Sequence, residues 1–393
     1  MKSIGFNEKI TLILSFLILN NYFLLSVNTP ILLVKLNFFF YLSSIVIFYF
    51  KNITENLYLK LFFLFILIIS LGIPTLDWDP RSNYLFHGKR IFYDLSIFTV
   101  ADNYASFSHN EYPTLVPAFA SSLAFFVGYW NEVLPKISFT LMFLPPLILI
   151  YAFLKNTSYL IFLSIVFFTI GKFLFNGWVD GLVAIYFGTS ALIMYIIFFT
   201  KNNNKEKLNY SIAFIFFISL TLIKNEGTAL LLVLFSTTFL IKIYTKELSI
   251  NISKLILLSF SFLPIISWKF FCYLKGIGYN DYINENILFY LLPRLNDIEN
   301  FKLISYFIFL NEKFIMTLIF FLISFWYSRN KELFGFISIS AITYIIILFI
   351  IYLSTPYELY WQLNSTAARV VKSLSFLLGF FGLYNLYHKQ IKY

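Results

Sequence analysis

Asp77 and Asp79 flank Trp78 where a long apolar run gives way to a polar loop, LDWDPRSNYLFHGKR, from Leu76 to Arg90. A carboxylate there can serve as a general base or as an oxygen ligand to a metal. Lys89 and Arg90 follow about three helical turns later if the loop is helical, and both side-chain types can hold a phosphate. Asp94, Asp102, His109 and Glu111 come next. The plainer reading is a solvated loop with ordinary ion pairs, because two aspartates two residues apart are a weak motif alone.

Three later segments carry ionisable groups in apolar surroundings. Asp180 stands in FNGWVDG just ahead of an apolar run, where it could face a site or cap the next helix. Lys224 and Glu226 belong to KNEG, a break between two apolar runs, and such charges must pair or line a wet cavity. The stretch YLSTPYELYWQLNSTAARVVKSLSF (Tyr352–Phe376) turns at Thr355-Pro356 and places Glu358, Trp361 and Gln362 on one helical face. Ser365 and Thr366 are expected to cap the helix that carries Arg369, and an arginine entering a membrane needs an anionic partner. Trp78, Trp178 and Trp361 are candidates for sugar stacking, although tryptophans at span ends more often anchor the interface. The histidines lack metal-ligand spacing, and no phosphate-loop, dinucleotide, nucleophile-elbow or zinc-protease motif is present.

The elements that must position these groups are membrane spans. Of 393 residues, 60% are hydrophobic and 12% charged, with a mean hydropathy of +0.80. That is about half the usual charge content of a soluble protein. The composition therefore excludes a water-soluble enzyme, a disordered chain and a disulfide scaffold; Cys272 is the single cysteine. Runs long enough to cross lie near 10–27, 31–50, 60–76, 137–154, 158–175, 181–200, 208–223, 228–244, 252–274, 303–326, 332–353 and 370–387. The expectation is an all-α polytopic membrane protein, a single transmembrane domain over 1–393 with about twelve spans. The first apolar run lacks a small-residue cleavage site, so no removable signal is expected.

Lysine and arginine orient the spans. If 114–130 does not cross, Lys2, Lys9, Lys51, Lys60, Lys155, Lys201, Lys205, Lys207, Lys242, Lys246, Arg329, Lys331, Lys389 and Lys392 share one side, as the positive-inside rule requires. Both termini are then cytoplasmic. The stretch 114–130, entered through EYPTLVP with two prolines in five residues (Pro113 and Pro117), becomes an interfacial or re-entrant helix on the outer side. The loops 77–136, 275–302 and 354–369 fall outside, and the net charge of +10 reflects orientation rather than a nucleic-acid partner.

The ordered set of segments resembles the GT-C superfamily of integral-membrane glycosyltransferases, particularly bacterial members. The match rests on WDPRSNYLFHGKRIFY (Trp78–Tyr93) with YPTLVP (Tyr112–Pro117), GWVDGLVAIYFG (Gly177–Gly188), KNEG (Lys224–Gly227) and TPYELYWQLNSTAARV (Thr355–Val370). Departures from the family pattern are Pro80, Tyr84, Gln362-Leu363 and Ala368. The resemblance implies a hexosyl- or pentosyltransferase in the bacterial plasma (inner) membrane with an extracytoplasmic site. Its donor would be a polyprenyl-phosphate-linked sugar and its acceptor a glycan, lipid or protein hydroxyl, with inversion at the sugar carbon. Asp79, with Asp77 beside it, would be the catalytic acid–base group. Lys89, Arg90 and Arg369 would hold the donor phosphate, and Trp78, Tyr112, Asp180, Lys224, Glu226, Glu358 and Trp361 would line the cleft. A divalent cation, magnesium or manganese, is left open, with Asp77 and Asp79 as its ligands. The alternatives are a lipid-linked glycan flippase or transporter and a non-catalytic member of the family.

Overall fold

A computed structural model describes residues 5–51, 55–75, 77–154, 157–200, 206–277 and 287–391. Lys2, Lys155, Lys201, Lys205 and Lys392 of the charge pattern lie outside the described residues, as do Leu76 and 278–286 of the expected outer loops. In hydrocarbon no water satisfies backbone polar groups, so an apolar chain closes its hydrogen bonds inside helices. Accordingly the described residues contain helices and no strand.

The helices are α1 (Phe6–Ser26), α2 (Ile31–Phe50), α3 (Leu57–Gly72), α4 (Phe86–Asp94), α5 (Leu115–Val127), α6 (Leu134–Leu141), α7 (Leu144–Phe153), α8 (Thr157–Ile170) and α9 (Asp180–Phe199). They continue as α10 (Glu206–Ile223), α11 (Asn225–Tyr244), α12 (Leu248–Ser259), α13 (Leu263–Leu274), α14 (Ile287–Leu295), α15 (Ile298–Phe309), α16 (Glu312–Ser328), α17 (Lys331–Ser354) and α18 (Leu359–Ile391). Among the described residues eight helical stretches are long and apolar enough to cross a membrane, with α6–α7 and α12–α13 each counted as one. The chain is therefore a polytopic membrane protein. Four shorter apolar helices accompany them, at 57–72, 115–127, 158–174 and 207–223.

Burial separates the centre of the bundle from its rim. The α9 span is 94% buried by protein, against 33% for α2. The rim helices turn large apolar side chains outward, among them Leu32, Phe40, Ile47, Ile256, Ile266 and Ile346. That pattern suits a lipid surround, where apolar contact costs nothing. The last helix, α18, lies along α9, α8 and α16 and reaches into the core.

Three expectations need correction. The stretch 303–326 is not one straight span: α15 and α16 meet at an angle of 70°, because Asn311 accepts from the Phe314 N–H and starts a new helix. Asp180 does not cap α9; Val179 holds that position and Asp180 sits in the first turn. Ser365 and Thr366 do not start the Arg369 helix. They lie inside it and bond back to the Gln362 carbonyl, while Glu358 accepts from the N–H groups of Tyr360 and Trp361 at its start.

The stretch 114–130 contains α5, whose thirteen residues extend about 20 Å, too short to cross. Its residues Leu115 to Phe125 are buried, and it packs against α1, α2, α4, α6 and α10. It is enclosed by protein rather than laid on a surface. The loop ahead of it is fastened to the bundle by Trp268 Nε1 and Lys269 Nζ, both donating to the Glu111 carbonyl at 3.0 Å.

Candidate functional site

Four segments far apart in sequence meet at one end of the bundle. The chain leaves α3, and Asp77 and Asp79 fall at the start of a short helical stretch running into α4. Gly177, in the left-handed region at φ 88°, turns the chain ahead of Trp178 and α9. The α10–α11 hairpin is so tight that a Cβ on Gly227 would lie 1.9 Å from the Leu220 carbonyl oxygen. Only glycine allows that approach, and it sets Lys224 and Glu226 against the start of α9. Arg369 comes from α18, which packs along α9.

The charges form a continuous chain. Arg369 Nη2 bonds Asp79 Oδ2 and lies 3.4 Å from Asp180 Oδ2. Asp180 Oδ1 accepts from Lys224 Nζ at 2.7 Å, and Lys224 Nζ is 3.5 Å from Glu226 Oε2. Glu226 Oε1 accepts from the Tyr344 hydroxyl at 2.6 Å and the Ser373 hydroxyl at 3.3 Å. The Arg369 guanidinium also stands 4.1 Å from the Trp178 ring centre, a cation–π distance. Trp178 Nε1 in turn donates to Asp77 Oδ2 at 2.7 Å, which also accepts from Asn176 Nδ2 at 3.2 Å.

Burial makes this arrangement consequential. Asp180 is only 2% exposed, so its charge depends on Lys224 and Arg369 rather than on water. The first turns of α9 and α11, holding Asp180 and Glu226, add the favourable field of two helix N-termini. Three carboxylates, Asp79, Asp180 and Glu226, thus face two cations, Arg369 and Lys224. Asp79 is the most open of them, with a side chain 28% exposed, and among the described residues its Oδ1 carries no protein hydrogen bond. Arg369 Nε is buried without a partner, a donor still available to an oxygen anion.

The other expected site residues lie elsewhere. Arg90 makes two bonds to Asp102, at 3.0 and 2.6 Å, and a third to the Thr99 carbonyl at 2.5 Å. Burial raises the Asp102 carboxyl, but bonds from Arg90 and the Tyr104 N–H outweigh it and hold it below the usual range. Lys89 is half-exposed and 3.9 Å from Glu132. Trp78 and Trp361 are 65% and 56% exposed, beside Phe107 and Tyr357. Tyr112 is buried and stacks on His109. Glu358 is occupied at the start of α18. The buried His87 bonds Asn110 at 3.0 Å, and burial pushes its ring down to about 4.

Sequence reasoning missed Tyr344, Ser373 and Asn176. Ser373 carried a signal, four residues after Arg369 on the same helical face; Tyr344 stands in an unbroken apolar run and carried none. Asp77 and Asp79 are each engaged by protein donors, one of them a cation. Among the described residues no group of three or more His, Cys, Asp or Glu side chains converges on a metal position. A divalent cation on Asp77 and Asp79 would have to displace the Trp178, Asn176 and Arg369 donors that engage them, so no step is routed through a metal. No family model, no curated protein and no solved structure matches the chain.

Proposed function

We propose that the chain is a GT-C-type glycosyltransferase that moves a sugar from a polyprenyl-phosphate donor to an acceptor hydroxyl. The observation that carries this reading is the meeting of Asp79, Asp180, the KNEG hairpin and Arg369 in one cluster. These are the segments on which the resemblance rests. Charge placement supports an outer location: the α16–α17 turn, with Arg329 and Lys331, lies by Asn330 near Tyr195, and Lys242 lies over Phe199. Both contacts are at the far end of α9 from Asp180. In this reading about twelve helices cross a bacterial plasma membrane, both termini are cytoplasmic and the cluster is extracytoplasmic.

The chemistry is a single displacement. Asp79 Oδ1 accepts the proton of the acceptor hydroxyl as its oxygen bonds the anomeric carbon. The bond from that carbon to the donor phosphate oxygen breaks, and the phosphate leaves with the electron pair. Attack opposite the leaving group inverts the sugar carbon. Arg369, with its unbonded Nε–H, stabilises charge developing on the phosphate. Asp77 holds Trp178, whose ring fixes the guanidinium.

A specific observation favours a second reading. Glu226, Tyr344 and Ser373 extend the charge chain into the bundle, as a transporter's relay would. Proteoliposomes given a labelled polyprenyl-phosphate sugar and mixed acceptor glycans separate the two. Label on the acceptor supports the transferase; label crossing the bilayer still attached to its lipid sinks it in favour of transport.

A further inference from the structure

A second group of cations lies one helical step from Arg369 and belongs to no part of the chemistry above. Where α15 and α16 meet, a cleft of about 340 Å³ opens, lined by Asn311, Glu312, Lys313, Ala368, Lys372 and Ser375 among others. Ala368, Lys372 and Ser375 share one face of α18 by their four- and three-residue spacing. That face adjoins the one by which Arg369 meets Asp79. Lys372 is 8% exposed, and its ammonium stands 4.3 Å from the Phe173 ring centre. Among the described residues neither a carboxylate nor a hydrogen-bond acceptor pairs with it.

Lys313 is scarcely better served, reaching only the Thr169 carbonyl at 3.5 Å and lying over the Phe168 ring. Lys172, on the turn after α8, stands over Phe173. Lys313, Lys172 and Arg369 are all close enough to act on Lys372, with Asp180 as the nearby opposing charge. Glu312 is on the rim, exposed, and forms no ion pair with either lysine. A buried ammonium facing two others is costly unless an anion joins them. An ordinary structural pair would set a carboxylate against one of these ammonium groups, and among the described residues Glu312, on the rim, and Asp180, bonded to Lys224, do not pair with Lys372 or Lys313.

We infer that this cleft binds the phosphate group of a membrane lipid, held by Lys372 and Lys313 with Lys172 at its edge. Phosphate offers several strong acceptor oxygens to converging ammonium groups. The cleft opens between helices that carry apolar side chains, including Leu310 on its own wall, so the chain of a lipid could follow its headgroup. The site deepens the transferase reading by adding further cations on the face of α18 next to Arg369. It rests on that reading only for the identity of the lipid.

Binding can be measured without turnover. Wild type, Lys372→Met, Lys313→Met and Lys372→Arg are placed in phosphatidylcholine nanodiscs, with a polyprenyl phosphate or phosphatidylglycerol added, and lipid retention is read by native mass spectrometry. Inorganic pyrophosphate is titrated in detergent as the free anion. The expected result is retention of the polyprenyl phosphate, weakened about tenfold or more by either Met variant, as for loss of a charged hydrogen bond, and largely kept by Lys372→Arg. Lys372→Met should unfold no earlier than wild type without ligand, since it removes an unpaired buried charge. Equal retention of phosphatidylglycerol assigns the cleft to general phospholipid headgroups, and tight pyrophosphate binding without lipid retention assigns it to a free anion; both keep phosphate as its ligand. No phosphate ligand bound by wild type, or binding indifferent to both Met variants, overturns the site. Transfer activity absent in wild type while binding persists would remove the transferase reading and leave this one.

Discussion

Among the described residues, the pairs Arg90–Asp102 and Arg369–Asp79 look alike in residue type and differ in what they join. Arg90–Asp102 closes a twelve-residue loop with two bonds, and the Asp102 side chain is 43% exposed. Arg369–Asp79 bridges 290 residues and continues through Asp180 and Lys224 to Glu226. The first shapes a loop over the bundle. The second ties the loop, two helix starts and the last helix into one buried object. The difference teaches that charge in this chain is informative by its burial and reach rather than by residue type.

Breaking the buried chain should have the largest effect. Asp180→Ala removes the carboxylate that lies between Lys224 and Arg369, leaving Lys224 only Glu226 and Arg369 only Asp79, and the expected loss is about 3–5 kcal/mol, read from thermal unfolding in detergent. A loss under about 1 kcal/mol would mean that water already screens the cluster. The triple change Asp180→Asn, Lys224→Met, Glu226→Gln should cost less than Asp180→Ala alone, because it removes Lys224 together with both of its carboxylates and leaves Arg369 paired with Asp79. Asp102→Ala, by contrast, should cost no more than about 1 kcal/mol, as partly exposed pairs do.

Acid sharpens the contrast next. His87, with its ring at about 4 when folded, is neutral where the unfolded ring, near 6.5, is already charged. Its contribution is therefore full above pH 6.5 and is lost as pH falls from 6.5 towards 4. Asp102, held below the usual carboxylate range, contributes above the unfolded value and loses that as pH falls through the folded one. Both act in the same direction, so amide protection factors in 86–112, corrected for the intrinsic pH dependence of exchange, should fall below pH 6.5 ahead of those in α9. A simultaneous fall in protection would show that loop and bundle are one unit. The smallest effect concerns Trp178→Leu, which removes the guanidinium contact and the bond to Asp77. It should cost about 1–2 kcal/mol, and Trp361→Leu close to nothing.

Much of this was legible in the chain before its fold. The apolar runs mark the helices because crossing hydrocarbon demands length and closed hydrogen bonds together. Asp79, Asp180, Lys224, Glu226 and Arg369 could be singled out because a charge amid apolar residues is costly enough to need a reason. The allocation of partners was not legible. Arg90 and Arg369 are the same residue type, and only the fold gives one Asp102 and the other Asp79. The 70° break had its signal in Asn311-Glu312, a helix start that the surrounding hydropathy outweighed. The lysine cleft was beyond reach, because Lys172, Lys313 and Lys372 are spread over some 200 positions on three elements and each reads singly as a residue near a span end.

The comparison of the two pairs reduces to one measurement: transfer of labelled sugar from a polyprenyl-phosphate donor in proteoliposomes carrying wild type, Asp79→Asn or Asp102→Asn at matched folded amounts. Asp79→Asn should lower the rate about 10²–10⁴-fold, the scale of a lost general base, while Asp102→Asn stays within a few-fold of wild type. Full activity in Asp79→Asn, or a larger loss in Asp102→Asn, would contradict the placement of the chemistry at the buried cluster.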